Sequence, residues 1–105
     1  MQSTDTIEFL EARASEVSAT LRLLANEKRL LVLCRLALEG EMSVTALGEA
    51  VSLSQSALSQ HLARLRADGL VTFRRTSQTL HYRVADKRTL RVLQVLKEIY
   101  CGIIG

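Results

Sequence analysis

Between Ser43 and Arg66 the chain sets an apolar period, breaks it and sets it again, and few folds accommodate that pattern. Val44, Leu47 and Val51 recur at helical spacing, Val51-Ser52-Leu53 interrupts the period, and Leu58, Leu62 and Leu65 begin a second stripe. Two short helices joined by a tight turn satisfy this, provided that both stripes share one core. Ser54 is placed to cap the second helix, and Gly69 to end it in a left-handed conformation.

The polar side of that second helix has a particular chemistry. With about 100° between successive residues, Ser56, Ser59, Gln60 and Ala63 share one face. All are small or amide-bearing and uncharged, so the helix can approach another surface closely and still offer hydrogen-bond donors and acceptors. Base edges in a major groove require this. An ordinary polar face in an unrelated bundle could carry the same residues, so charge is the next discriminator. The net charge is only +3, but Arg64, Arg66, Arg74, Arg75, Arg83, Lys87, Arg88 and Arg91 crowd the second half. A basic half beside such a helix is the electrostatic footprint of a DNA binder.

The 105 residues predict one domain, 1–105, with room for one modest core. Two Phe, two Tyr, no Trp and no Pro in a chain that is 48% hydrophobic fit Leu-, Val- and Ala-rich helices. No apolar run is long enough to span a bilayer. The early acids Asp5, Glu8 and Glu11 replace the basic start and apolar stretch of a signal peptide. A cytoplasmic location without a membrane partner is expected.

From about Thr6 to Ala25 a helical pattern carries Phe9, Leu10, Ala14, Val17, Leu21 and Leu24, more apolar surface than its share of a small core demands. Asn26 can cap a second helix running to about Glu39, with Glu27 in its first turn and Gly40 as its stop. Leu30, Leu33, Cys34 and Ala37 form one stripe of it, while Leu31, Val32, Leu36 and Leu38 spread around the remainder, so little of this helix should see water. After the helix pair, Leu70–Arg75 and Thr79–Val84 alternate as a two-stranded hairpin, with Arg74, His81 and Arg83 pointing away from the core. Its tip, Thr76-Ser77-Gln78, lacks the Gly of a two-residue turn, which predicts a longer loop. Asp86 opens a last helix to about Tyr100, again strongly apolar.

The expected fold is therefore mainly α with a small β-hairpin, a winged helix-turn-helix paired as a homodimer through its terminal helices. Two-fold pairing sets two recognition helices about one DNA turn apart, which predicts a palindromic operator as partner. Gln55, Ser56, Ser59 and Gln60 are the candidates for base edges, and Arg64, Arg74, Arg75 and Arg83 for phosphates or the minor groove. Gln78 at the wing tip is a further candidate, and His61, between the polar and apolar faces, reads equally as a helix-side histidine.

The wording of Leu53-Ser54-Gln55-Ser56-Ala57-Leu58-Ser59-Gln60-His61-Leu62, of Arg66-Ala67-Asp68-Gly69-Leu70-Val71 and of Leu24-Ala25-Asn26-Glu27-Lys28-Arg29-Leu30 closely resembles the ArsR/SmtB family of small winged-helix repressors. The resemblance implies a homodimer that leaves its promoter when an inducer is sensed. The family is best known for metal sensing, but Leu47-Gly48-Glu49-Ala50-Val51 stands where a Cys-x-Cys pair would, and the only histidines are His61 and His81. A tight zinc site needs about four N or S ligands, so no metal and no cofactor are expected.

Cys34 and Cys101 are the only thiols. Taken alone, Cys34 on a Leu-rich helix reads as a small core hydrophobe. The placement of the two resembles the BigR, SqrR and HlyU branch of the family, and that resemblance implies redox-sensing cysteines, bridged by persulfide, polysulfide or an oxidant, with release of DNA. The spacing is not Cys-x-x-Cys, against a thioredoxin-like enzyme. Leu30, Leu31, Ala37 and Leu38 lie one turn from Cys34, and Cys101 sits at a helix C-terminus whose dipole disfavours thiolate, so any activation must come from the fold. Three alternatives stay open: a DNA-binding repressor answering arsenite or another inducer, with structural cysteines; a winged helix that binds only protein; and a thiol oxidoreductase using Cys34. The last lacks a Ser/His/Asp arrangement, a Gly-rich phosphate loop and clustered carboxylates.

Overall fold

A computed structural model describes residues 3–102, with side chains from residue 5 onward; residues 1, 2 and 103–105 of the expected 1–105 domain lie outside the described residues. The elements are α1 (Ser3–Leu24), α2 (Glu27–Glu39), β1 (Met42–Ser43), α3 (Val44–Val51), α4 (Gln55–Ala67), β2 (Val71–Thr76), β3 (Thr79–Val84) and α5 (Lys87–Cys101). This is a winged helix-turn-helix, α3 and α4 forming the helix pair and β2–β3 the wing.

Short polar side chains fix where the helices start, each accepting a hydrogen bond from an amide that the first turn leaves unpaired. Asn26 accepts from the Arg29 amide, Ser43 from Ala46, Ser54 from Ala57 and Asp86 from Arg88. The α3–α4 turn is made by Ser52, which ends α3 in a left-handed conformation (φ 55°), and Gly69 performs its expected role after α4 (φ 78°).

The core forms where these elements meet. Val32, Leu33 and Leu36 of α2, Leu47 of α3, Leu58 and Leu65 of α4 and Leu93 of α5 have no solvent exposure at all. Helix α2 packs against α1, α3, β3 and α5, so it lies between the helix pair and the last helix. On the sheet, Val71 pairs with Val84 and Phe73 with Tyr82 on the inner face, while Thr72 pairs with Arg83 and Arg74 with His81 on the outer face. Among the described residues, no helix is long and apolar enough to cross a membrane.

Three expectations need correction. The sheet has a third strand, because Met42 and Ser43 pair antiparallel with Tyr82 and His81, giving the order β1-β3-β2. The wing tip is a two-residue turn after all: Thr76 pairs with Thr79, and Ser77 adopts the positive φ of 54° for which Gly was expected. Helix α2 is not covered all round, since Leu31 and Leu38 are 44% and 51% exposed on the side away from the core. Apolar residues spread around a helix measure its composition, and only neighbours decide which of them are covered.

Asp86 links capping to the core. It accepts from the hydroxyl of fully buried Thr89 at 2.7 Å as well as from the Arg88 amide. The Thr89 hydrogen bond holds its carboxyl below the usual carboxylate range, with the Arg88 amide and guanidinium acting in the same direction. Asp86→Ala removes a cap and orphans a buried hydroxyl, so stability should fall by about 2 kcal/mol, roughly 10 °C in Tm. Because the folded carboxyl titrates lower than the unfolded one, this contribution is full above the ordinary carboxylate range and is lost as the pH falls through the depressed value. Thermal melts should therefore separate wild type from Asp86→Ala at neutral pH and converge in acid.

Candidate nucleic-acid interface and thiol site

Helix α4 presents its polar face outward: Gln55, Ser56, Ser59 and Gln60 are exposed, opposite the buried Leu58, Leu62 and Leu65. The Ser56 hydroxyl lies 3.4 Å from that of the cap Ser54 and is otherwise free of side-chain partners among the described residues. His61 is half-buried on the flank and makes no hydrogen bond among the described residues. Gln78 is exposed at the second position of the wing turn.

The arginines divide into two groups. Arg64 donates from Nε to Asp68 at 2.9 Å, one turn along the same helix. Arg74 is held from two nitrogens by Glu41, with Nη2 2.7 Å and Nε 2.9 Å from its carboxylate oxygens, and that guanidinium keeps the Glu41 carboxyl below the usual carboxylate range. These two cations are already answered by acids. Strand alternation turns Arg74 and Arg75 to opposite faces of the wing, and Glu41 pairs with the outer one. Arg75 and Arg83 are exposed and make no ion pair among the described residues, although the charge of Arg83 also acts on Glu41. His81 is tied across the wing, its Nε2 2.8 Å from Thr76 Oγ1.

Arg66, counted in the basic cluster but not singled out from sequence, proves to be well placed. Its guanidinium carbon lies 4.2 Å from the centroid of the Phe73 ring, which in turn packs at 5.3 Å on Tyr82. No sequence signal links Arg66 to Phe73, because the stack depends on how the wing folds back on α4.

The thiols lie on packed helices, Cys34 half-buried on α2 and Cys101 exposed as the last residue of α5. Burial pushes the Cys34 thiol up; the charge of Cys101 adds to this, and the Lys97 ammonium opposes it. Lys97 draws the Cys34 thiol down by less than burial raises it, so the net direction is up. Its effect reaches Cys34 from α5, so no window of sequence around Cys34 could have revealed it. Among the described residues, no three His, Cys, Asp or Glu side chains gather as a metal site would require.

The sequence model of the bacterial regulatory protein, arsR family, matches residues 26–72, from the cap of α2 into the wing. The transcriptional activator HlyU of Vibrio cholerae is 41% identical over 95 residues, 90% of this chain and 87% of its own length. The chain belongs to the ArsR family. Two solved structures extend the likeness. The transcriptional repressor BigR of Xylella fastidiosa superposes with a TM-score of 0.83 at 36% identity, covering 90% of this chain and 95% of its own. The homodimeric winged helix-turn-helix DNA-binding domain of Mb0332 from Mycobacterium bovis does so with a TM-score of 0.72 at 29% identity, over 96% and 89% of the two chains. This ArsR-family protein is thus a transcriptional regulator of the HlyU and BigR type, from a family of DNA-binding proteins rather than enzymes.

The unequal surroundings of the two thiols predict unequal reactivity. Iodoacetamide at neutral pH should alkylate exposed Cys101 first and Cys34 at least several-fold more slowly, with the Cys34 rate still climbing above the pH at which a free thiol has ionised. Peptide mass spectrometry of timed samples reads both rates.

Proposed function

We propose that the chain is a homodimeric repressor that holds double-stranded, palindromic operator DNA with α4 and the wing, and lets go when Cys34 and Cys101 are joined within each subunit. What supports the switch is that α2, which carries Cys34, packs against α5, which carries Cys101, although the two thiols are far apart in sequence. The base-edge residues would be Gln55, Ser56, Ser59 and Gln60, with Arg75, Arg83 and Gln78 of the wing on the backbone or in the minor groove.

Pairing is supported by apolar surface that one copy leaves open. Phe9 and Leu10 of α1 are 61% and 62% exposed and Tyr100 of α5 80%, with Ile7, Val17, Leu21, Val92 and Ile99 beside them in exposure. Surface of this kind on two terminal helices is what a second copy would cover.

Joining the sulfurs removes both thiol hydrogens and two electrons. A peroxide accepts them and leaves as water; a polysulfide accepts them and leaves as a shorter sulfide, with two or more sulfurs in the bridge. Because burial keeps Cys34 protonated, peroxide should react sluggishly, which favours a small reactive sulfur species as the inducer. The bridge ties α5 to α2, which supports α3, and so alters the separation of the two α4 helices. Coupling of about 1 to 3 kcal/mol, about 5- to 150-fold in affinity, is typical of such linkage.

Cys34→Ser and Cys101→Ser should each bind the DNA upstream of the gene like wild type and fail to release it on polysulfide treatment. Normal release by both variants would refute the switch. Mass spectrometry of the wild type separates the chemistries: added sulfur for a polysulfide bridge, a loss of two hydrogens for a disulfide, retained arsenic for an arsenite sensor.

A further inference from the structure

Between α4 and the wing runs a cleft of about 560 Å³ whose floor includes Leu62, Leu80 and Tyr82. Its walls carry amide and hydroxyl groups, Gln55 and Ser59 from the helix and Gln78 and Thr79 from the wing. No carboxylate lines it, and its one cation is Arg66. Arg64 and Arg74, by contrast, are each engaged by an acid outside the cleft.

We propose that this cleft seats a DNA backbone strand, and that Arg66, braced on Phe73, is the cation that meets its phosphate. This rests on the reading above that α4 enters a major groove. If it does so while the wing reaches the adjacent minor groove, the sugar–phosphate strand dividing the two grooves has to pass between helix and wing, and the cleft is what lies there. Its lining suits that occupant, with donors for phosphate oxygens and no like charge to repel them.

The stack explains why an arginine stands at this position. A guanidinium lying on an aromatic face keeps its N–H edges free and pointing sideways, and the ring contact removes much of the freedom that a long side chain loses on binding. Among the described residues Arg66 has no acid to leave before it can take a phosphate. Arg74 would have to break a two-nitrogen contact with Glu41. The cation that positions the DNA strand is therefore Arg66, on the inner side of the wing, and not Arg74 on its outer side.

Phosphate contacts are independent of base sequence, so a random duplex of about 30 base pairs serves as probe, with fluorescence anisotropy measured across a range of salt concentrations. Arg66→Ala should bind about tenfold more weakly at moderate salt, and the slope of log affinity against log salt should be shallower by about one for each subunit bound. Arg66→Lys should keep the wild-type slope with a smaller loss of affinity, because the charge remains and the planar stack does not. Arg74→Ala should leave the slope unchanged. A wild-type slope in Arg66→Ala, or a greater loss in Arg74→Ala than in Arg66→Ala, overturns the assignment while the DNA reading stands. A wild type whose binding is absent or indifferent to salt overturns both. Circular dichroism of each variant checks that this exposed side chain has not cost the fold.

Discussion

Helix α2 has no slack on its inner side. Val32, Leu33 and Leu36 are wholly excluded from solvent, and the same short helix meets α1, α3, β3 and α5. Protein interiors are packed near crystal density, so a rigid element held on several sides shifts its neighbours rather than deforming. In the proposed switch, a core this small leaves the thiol end and the DNA-reading end mechanically joined. On that proposal, a change in the seating of α5 on α2 would be passed to α3, whose partner α4 carries the exposed polar face.

Electrostatics follows the same logic of placement over count. The formal charge of +3 gives no hint of which arginines are available. Local acids sort them: Asp68 answers Arg64 along one helix, Glu41 answers Arg74 across the base of the wing, and Glu16 answers Arg88 between α1 and α5 at 2.9 Å. Exposed pairs of this kind add little to stability. Their consequence is positional, because in the proposed complex an arginine held by a carboxylate has to leave it before it meets a phosphate. Arg66, stacked on a ring, is held in place without being neutralised.

The thiol pair shows where reading from residues stopped. That neither cysteine had an activator close by in sequence was a fair account of Cys34, whose helical neighbours are leucines and alanine. The electrostatic effect of Lys97 on Cys34 arises only because α5 packs on α2. Glu41 was invisible for the same reason, its partner Arg74 lying thirty-three positions further on.

Sequence by itself determined the helices, the two wing strands and most of their ends. Asn26, Ser54, Asp86 and Gly69 act through amides and dihedral angles only a few residues away, so caps, stops and the exposed polar face of α4 were legible without coordinates. Tertiary structure decided everything that depended on which surfaces meet: the third strand at Met42–Ser43, the open side of α2 at Leu31 and Leu38, the capture of Arg74 and the bracing of Arg66. Local chemistry acts over a turn or two of chain. Contact between distant segments is set by the packing of the whole core, which no short window of sequence contains.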